Sequence, residues 1–301
     1  MNDLPDLFPG FEARSVEVSM GHIFARIAGD GPALVLLHGF PQTHACWHRV
    51  APALAKTHRV ILLDMRGYGS SSAPPSRDGE AYAKRALAAD VIEAAERLGH
   101  AHFAFAGHDR GARVGYRLAL DHPERIERLA LLDIVPTFKA WQEIRAGRQQ
   151  ARHWDFLARP EPEPEIEIAR DPIAYVDGLL ATWNRQKSLA VFDPGALAHY
   201  HASASEPDRV HAFCEDYRAG ATLDVEADEA DLEAGRKITC PVLLLTGEYY
   251  LPGGEAAVLA AWRKSFAPQA VSASASCGHF LAEEAPEATV AALTRFLSGT
   301  G

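Results

Sequence analysis

Short apolar runs alternate with helix-like segments along most of the chain. The runs at 33–37, 59–63, 102–106, 129–132 and 242–245 are continuously apolar, which is typical of strands buried on both faces of a parallel sheet. Residues 84–98 repeat apolar positions at helical spacing and stop at Gly99, and a second helix is predicted to begin at Arg110. This alternation predicts an α/β fold with a mostly parallel central sheet flanked by helices.

The alternation breaks between about residues 137 and 235, where charged and aromatic residues replace strand-like runs. The pattern resumes at Cys240 and Pro241, so we predict an inserted piece and disfavour a separate domain with its own role. The prediction is a core built from 1–136 and 236–301, with a mainly helical cap at 137–235 that follows the strand ending at Asp133. The Pro- and Glu-rich stretch 159–167 is predicted to be an exposed loop.

Composition narrows the possible partners. The formal net charge is −10, which argues against nucleic acid or an anionic membrane as a binding partner. The N-terminus has no secretory signal pattern, and no apolar run approaches the length of a membrane span. The four cysteines are far apart and form no CxxC motif, so a reduced, cytoplasmic setting is expected. An anionic substrate would need local cations.

The most informative stretch is Gly107-His108-Asp109-Arg110-Gly111, which has the form Gly-x-nucleophile-x-Gly between a predicted strand and a predicted helix. In that context the two glycines permit a sharp turn that exposes the central side chain. A carboxylate there is already ionised and can attack a saturated carbon that carries a leaving group. The alternative is that Asp109 only caps the helix.

Hydrolysis of the resulting ester would need a base, an acid that orients it and an oxyanion site. His279, late in the chain after a candidate last strand, is the predicted base. Asp133, at the end of an apolar strand, is preferred over Glu248 as its orienting acid. The backbone N–H groups of Phe40, after His38-Gly39, and of Arg110 are the predicted oxyanion donors.

Arg110 and Arg113 lie three positions apart at the start of the predicted helix, so their side chains share one face near Asp109. Two arginines suit bidentate recognition of a carboxylate, which would make the substrate an anion. The alternative, that they pair only with Asp109 or with acidic side chains of the cap, is equally compatible with the composition.

The string from His108 to Arg113 resembles the nucleophile motif of the fluoroacetate dehalogenases, whereas related haloalkane dehalogenases and epoxide hydrolases usually carry tryptophan at the position of Arg110. The resemblance covers essentially the whole chain. Its further motifs are 38–44, Asp64 with 67–69, 132–134, 153–154, 215–220 and 278–281.

The resemblance implies a set of roles and a substrate. The implied triad is the nucleophile Asp109, the base His279 and its partner Asp133. Arg110 and Arg113 would bind the carboxylate of a haloacetate, and water would be the second substrate. The leaving halide would be received by His153, Trp154 and Tyr217. The implied reaction converts fluoroacetate into glycolate and fluoride without a metal or an organic cofactor, and relatives suggest a homodimer.

Three other functions stay open at this point. A similar pocket could prefer chloroacetate. An epoxide hydrolase could use the same triad with cap tyrosines, for which Tyr175, Tyr200 and Tyr217 are candidates, although the two arginines would then have no role. A non-catalytic ligand-binding protein could share the fold, although such proteins commonly lose a triad member.

Overall fold

A computed structural model describes residues 4–147 and 151–299. Its centre is an eight-stranded sheet with the strand order β1-β2-β4-β3-β5-β6-β7-β8. The strands are β1 Glu12–Val18, β2 Gly21–Ala28, β3 Ala33–Leu37, β4 Arg59–Leu63, β5 Phe103–His108, β6 Ile126–Leu132, β7 Val242–Gly247 and β8 Val271–Ala275.

Helices fill most of the connections between the strands. They are α1 Ala51–Leu54, α2 Lys84–Arg97, α3 Arg110–Asp121, α4 Thr137–Arg145, α5 Arg152–Leu157, α6 Glu163–Ile168, α7 Pro172–Trp183, α8 Pro194–Ala204, α9 Pro207–Ala221, α10 Leu223–Glu233, α11 Gly254–Lys264, α12 Leu281–Glu284 and α13 Pro286–Leu297. Short 3₁₀ turns occur at His44–Trp47, Glu80–Tyr82 and Leu189–Val191. None of the described helices is long and apolar enough to cross a membrane.

The predicted parallel sheet is confirmed. From β4 to β8 the neighbouring strands are parallel, and every residue of β3, β5 and β7 is buried. Continuous burial explains why these strands are apolar except near their carboxyl ends, since helices cover both faces of such a sheet.

The sequence analysis missed the antiparallel hairpin of β1 and β2, which extends the sheet beyond β4. In β2 only alternate residues are buried, namely Ile23, Ala25 and Ile27. A strand with one half-exposed face alternates instead of forming a continuous apolar run, so a search for such runs does not detect it.

The segment between β6 and β7 forms the helices α4 to α10 and contains no strand among its described residues. One prediction in this segment is wrong. The stretch 159–167 is not a loop throughout, because α6 begins at Glu163. Pro164 lies in the first turn of this helix, where a backbone N–H group has no partner within the helix and proline is therefore tolerated.

Candidate active site

Asp109 occupies the sharp turn between β5 and α3. Its φ of 45° and ψ of −115° lie in a backbone region that residues other than glycine rarely adopt. Gly111 permits the turn, because a Cβ atom there would lie 2.2 Å from the carbonyl oxygen of His38. The Asp109 side chain does not cap α3. The strained backbone and a carboxylate that does not cap the helix are typical of a nucleophile turn and do not fit the helix-cap alternative.

The loop after β3 lies directly against this carboxylate. The Phe40 N–H group donates a hydrogen bond to Asp109 Oδ2 over 3.2 Å. Gly39 allows this approach, since a Cβ atom at that position would lie only 2.5 Å from the Cβ atom of Asp109. Arg110 is the first residue of α3, where backbone N–H groups have no partner within the helix. Both predicted oxyanion donors therefore adjoin Asp109.

Asp133 and His279 meet at the carboxyl ends of β6 and β8. His279 Nδ1 lies 2.6 Å from Asp133 Oδ2, and the Gly247 N–H group donates to Asp133 Oδ1 over 3.0 Å. A carboxylate only accepts hydrogen bonds, so Nδ1 of His279 carries the proton and Nε2 remains available as a base. Glu248 is exposed, and its carboxylate contacts Ser274 instead. The geometry favours Asp133 over Glu248 as the orienting acid.

Two backbone contacts fix the position of His279. Its own N–H group donates to the carbonyl oxygen of Trp183 over 3.0 Å. The His108 ring lies 4.5 Å from the His279 ring, and His108 Nε2 donates to the carbonyl oxygen of His279 over 2.8 Å. His108, the residue before Asp109, and Trp183 therefore both hold His279 in place.

A small cavity of about 30 Å³ brings these groups together. Its lining residues come from the turn, the strand ends and the cap: Asp109, Arg113, Asp133, Val135, Ala140, Ala151, His153, Trp154, Trp183, Tyr250, Leu251 and His279. Two larger surface grooves, of about 840 and 920 Å³, contain no member of the triad. We assign the site to the small cavity because the reactive groups line it, and its volume suits only a few non-hydrogen atoms.

The two arginines are both buried, but their side chains have different partners. Arg110 makes three hydrogen bonds to Asp216 in α9, and only its Nη1 atom is without a partner among the described residues. Arg113 donates from Nη1 to Val135 O and Thr137 Oγ1, and its Nε atom is unpartnered. Arg113 lines the cavity, whereas Arg110 does not. Pairing with an acidic residue of the cap therefore holds for Arg110 and not for Arg113.

The predicted halide ligands lie side by side in the cap. The Tyr217 ring is 5.8 Å from the ring of His153 and 5.7 Å from that of Trp154. The Arg110 guanidinium lies 4.3 Å from the centroid of the Tyr217 ring, and the Arg113 guanidinium lies 4.7 Å from that of Trp154. The structure thus brings all three residues together next to the arginines.

The electrostatics of the site suit an ionised nucleophile. Burial alone would raise the pKa of Asp109, but the charges of His279 and Arg113 outweigh burial and hold that pKa below its ordinary value. Burial lowers the pKa of His153 to about 3, so its ring is neutral at working pH. A neutral imidazole can still donate one N–H group.

The sequence analysis missed part of the site. Tyr250 lines the cavity and lies 4.2 Å from the His279 ring, but it sits in a loop without a distinctive motif. Trp183, which aromatic packing alone could explain, also lines the cavity, 4.3 Å from the His153 ring. Asp216 was noted only as part of a motif, since nothing in the sequence pairs it with Arg110.

Comparison with known proteins agrees with this geometry. A family model described as the alpha/beta hydrolase fold matches residues 32–286. A fluoroacetate dehalogenase from Burkholderia sp is 42% identical over 97% of this chain and 95% of its own length. A soluble epoxide hydrolase from Corynebacterium sp. (strain C12) is 31% identical over 90% of this chain and 92% of its own length.

Solved structures are similar over nearly the full chain. One from Nostoc sp PCC 7120, provisionally described as an alpha/beta hydrolase, has a TM-score of 0.89 and 44% identity and covers 96% of this chain and 99% of its own. One from Pseudomonas aeruginosa, provisionally described as an epoxide hydrolase, has a TM-score of 0.90 and 40% identity and covers 98% of both chains. With an aspartate at the nucleophile turn, this chain is a hydrolase that belongs to the haloacetate dehalogenase family of the α/β-hydrolase fold.

Proposed function

We propose that this hydrolase removes the halide from haloacetates, with fluoroacetate as its preferred substrate, through an ester on Asp109. One observation carries the proposal. An ionised Asp109 faces a cavity of about 30 Å³ that Arg113 lines, and Arg113 and the neighbouring Arg110 each have a buried nitrogen without a hydrogen-bond partner among the described residues. A small carboxylate that bears a leaving group matches all of these features, since it satisfies buried donors that are costly to leave unpaired.

The first step would be a displacement at the α-carbon of the haloacetate. The arginines hold the substrate carboxylate, and an Asp109 carboxylate oxygen attacks the carbon opposite the halogen. The carbon–halogen bond breaks, and the halide leaves with the bonding electron pair. The configuration at the α-carbon is inverted, and an ester forms between Asp109 and the carboxymethyl group.

The second step would be hydrolysis of that ester. Water attacks the carboxyl carbon of Asp109 and gives a proton to His279 Nε2, while Asp133 stabilises the imidazolium that forms. The N–H groups of Phe40 and Arg110 are placed to stabilise the oxyanion. The glycolate oxygen then leaves with the proton from His279, and the Asp109 carboxyl group releases its remaining proton to solvent, which regenerates the carboxylate.

Fluoride is proposed as the preferred leaving group because of the donors in the cap. Fluoride leaves poorly unless hydrogen-bond donors meet its developing charge. The imidazole of His153, the indole of Trp154 and the phenol of Tyr217 offer three such donors, and their rings lie within 6.4 Å of one another. The Tyr217 side chain is buried next to Arg110, and its hydroxyl would donate to a halide held there.

An epoxide hydrolase is the second candidate, since some relatives carry that description. It would need cap tyrosines that polarise the epoxide oxygen. Tyr200 is bound to Glu283 over 3.0 Å. Neither Tyr175 nor Tyr217 lines the cavity, although Tyr217 packs against Arg110. Two buried guanidinium groups with unpaired donors would have no function toward an uncharged epoxide.

The test is halide release by the purified chain from fluoroacetate and chloroacetate, with styrene oxide as a third substrate. Many fluoride ions released per enzyme molecule would support the proposal, and Asp109→Asn should abolish this turnover. Asp30→Asn, at a fully exposed position, serves as the control and should match the wild type. Chloride release alone would refute the fluoride preference. Turnover of styrene oxide without halide release would favour the epoxide hydrolase.

A further inference from the structure

Asp216 connects Arg110 to a buried network that the catalytic steps above do not use. Its Oδ2 atom accepts hydrogen bonds from Arg110 Nε over 2.9 Å and from the Tyr68 hydroxyl over 3.0 Å. Its Oδ1 atom accepts from Arg110 Nη2 over 2.7 Å and from Lys84 Nζ. All four of these side chains are buried. The carboxylate is therefore saturated by donors from α2, α3 and the loop after β4.

This arrangement fixes the Arg110 guanidinium in one orientation. Nη2 also donates to the backbone carbonyl of Asp216 over 2.6 Å, so Nε and Nη2 are both bound to one residue. Only Nη1 remains for a ligand. The Arg110 guanidinium also lies 4.3 Å from the centroid of the Tyr217 ring.

Lys84 changes the charge of this cluster. A lone Asp216 carboxylate would cancel the charge of Arg110 and leave it a weak partner for an anionic substrate. Lys84 supplies a second cation to the same carboxylate, with no water between them to screen it. Asp224 contacts Lys84 at 3.4 Å but does not contact Arg110.

From these contacts we infer that Asp216 is a positioning residue for substrate binding: it aims Arg110 at the substrate carboxylate, and Lys84 preserves the positive charge that Arg110 offers. The inference rests on the proposed function, because it assumes that the arginines bind a carboxylate. It assigns no chemistry to Asp216 itself. Its effect should appear in the binding of carboxylates and not in the binding of halide.

The experiment compares the wild type with Asp216→Asn, which keeps the shape of the side chain but removes its charge. KM for chloroacetate and the inhibition constant of glycolate should both rise about tenfold or more, because the loss of the two charge-assisted hydrogen bonds that orient Arg110 outweighs the negative charge removed. Inhibition by bromide, which needs no carboxylate site, should change less than about twofold. Thermal unfolding establishes that each variant is folded at the assay temperature.

Lys84→Met keeps the inference testable if Asp216→Asn does not fold. It should also raise KM for chloroacetate and the inhibition constant of glycolate. Asp216 would still orient Arg110, but the positive charge of Lys84, which offsets the charge of Asp216, would be lost. Asp30→Asn, at a fully exposed position, is the control and should leave both constants within about twofold of the wild-type values.

The outcomes separate this inference from the function on which it rests. If the wild type releases halide but folded Asp216→Asn keeps wild-type constants for chloroacetate and glycolate, the positioning role is wrong. A parallel rise in the glycolate and bromide constants would also overturn it, because it would indicate a general distortion of the site. If the wild type releases no halide, the proposed function fails first.

Discussion

Replacement of Asp133 by asparagine should separate the two chemical steps of the enzyme. Asp133 accepts one hydrogen bond from His279 at 2.6 Å and another from the Gly247 N–H group at 3.0 Å. An asparagine cannot accept both. If its amide nitrogen faces His279, then Nδ1 must accept, Nε2 is protonated and the base is lost. If its amide nitrogen faces Gly247, two buried donors oppose each other, at a cost of about 1–3 kcal/mol.

In either orientation, the imidazolium that forms during ester hydrolysis loses its buried counter-charge. Loss of one partner from a buried ion pair costs roughly 3–5 kcal/mol. At about 1.4 kcal/mol per factor of ten, hydrolysis should slow by roughly 10²- to 10⁴-fold. In the proposed mechanism, attack by Asp109 does not use His279 as a base, so the displacement of halide should remain fast.

The assay is rapid-quench measurement of halide release from chloroacetate. Asp133→Asn should release close to one halide per active site in a burst, followed by turnover at the reduced steady rate. A loss of the burst together with the steady rate, in a variant with a wild-type circular dichroism spectrum, would refute the reasoning. It would mean that Asp133 acts before the ester forms.

Three further predictions concern single positions. Tyr217→Phe removes a hydroxyl but keeps the ring beside Arg110, so the ratio of fluoride to chloride release rates should fall about tenfold; an unchanged ratio would contradict the halide role. Gly39→Ala places a methyl group 2.5 Å from the Cβ atom of Asp109, so turnover should drop by a factor of about 100 or more while circular dichroism still reports a folded chain. Burial raises the pKa of Glu283 to about 8 from an ordinary 4.5, so the contribution of Glu283 to the free energy of unfolding should be fully present below about pH 4.5 and be lost as the pH rises toward 8. Urea unfolding should show a loss of up to roughly 1.4 kcal/mol per pH unit in this range, and Glu283→Gln should abolish that loss.

The sequence alone was enough to predict those parts of the structure in which one backbone constraint determines the types of several neighbouring residues. The turn at Asp109 needs glycine on both sides and a strand and a helix around it, so five residues predict its geometry. The same holds for the parallel strands, whose burial on both faces demands an unbroken apolar run. The hairpin of β1 and β2 was missed because β1 is mostly exposed and β2 has an alternating pattern instead of a continuous apolar run.

Contacts between residues far apart in the chain could not be predicted from the sequence. Asp216 lies 106 residues after Arg110, and a buried Asp–Arg pair leaves no periodic signal in either helix. Tyr250 reaches the cavity from a loop, and its contact with His279 depends on how that loop folds over β7 and β8. The candidate halide residues His153, Trp154 and Tyr217 could be proposed only through a family resemblance, because their ring types fit ordinary core packing equally well.

A single turnover in water enriched in heavy oxygen tests most directly whether Asp109 is the nucleophile. Enzyme in excess over chloroacetate is allowed to react once, and mass spectrometry then measures the peptide that contains Asp109 and the glycolate released. If water hydrolyses an Asp109 ester, the label appears in the Asp109 peptide and the first glycolate is unlabelled. Label in the glycolate with none in the peptide would show that water attacks the substrate directly, which contradicts the account.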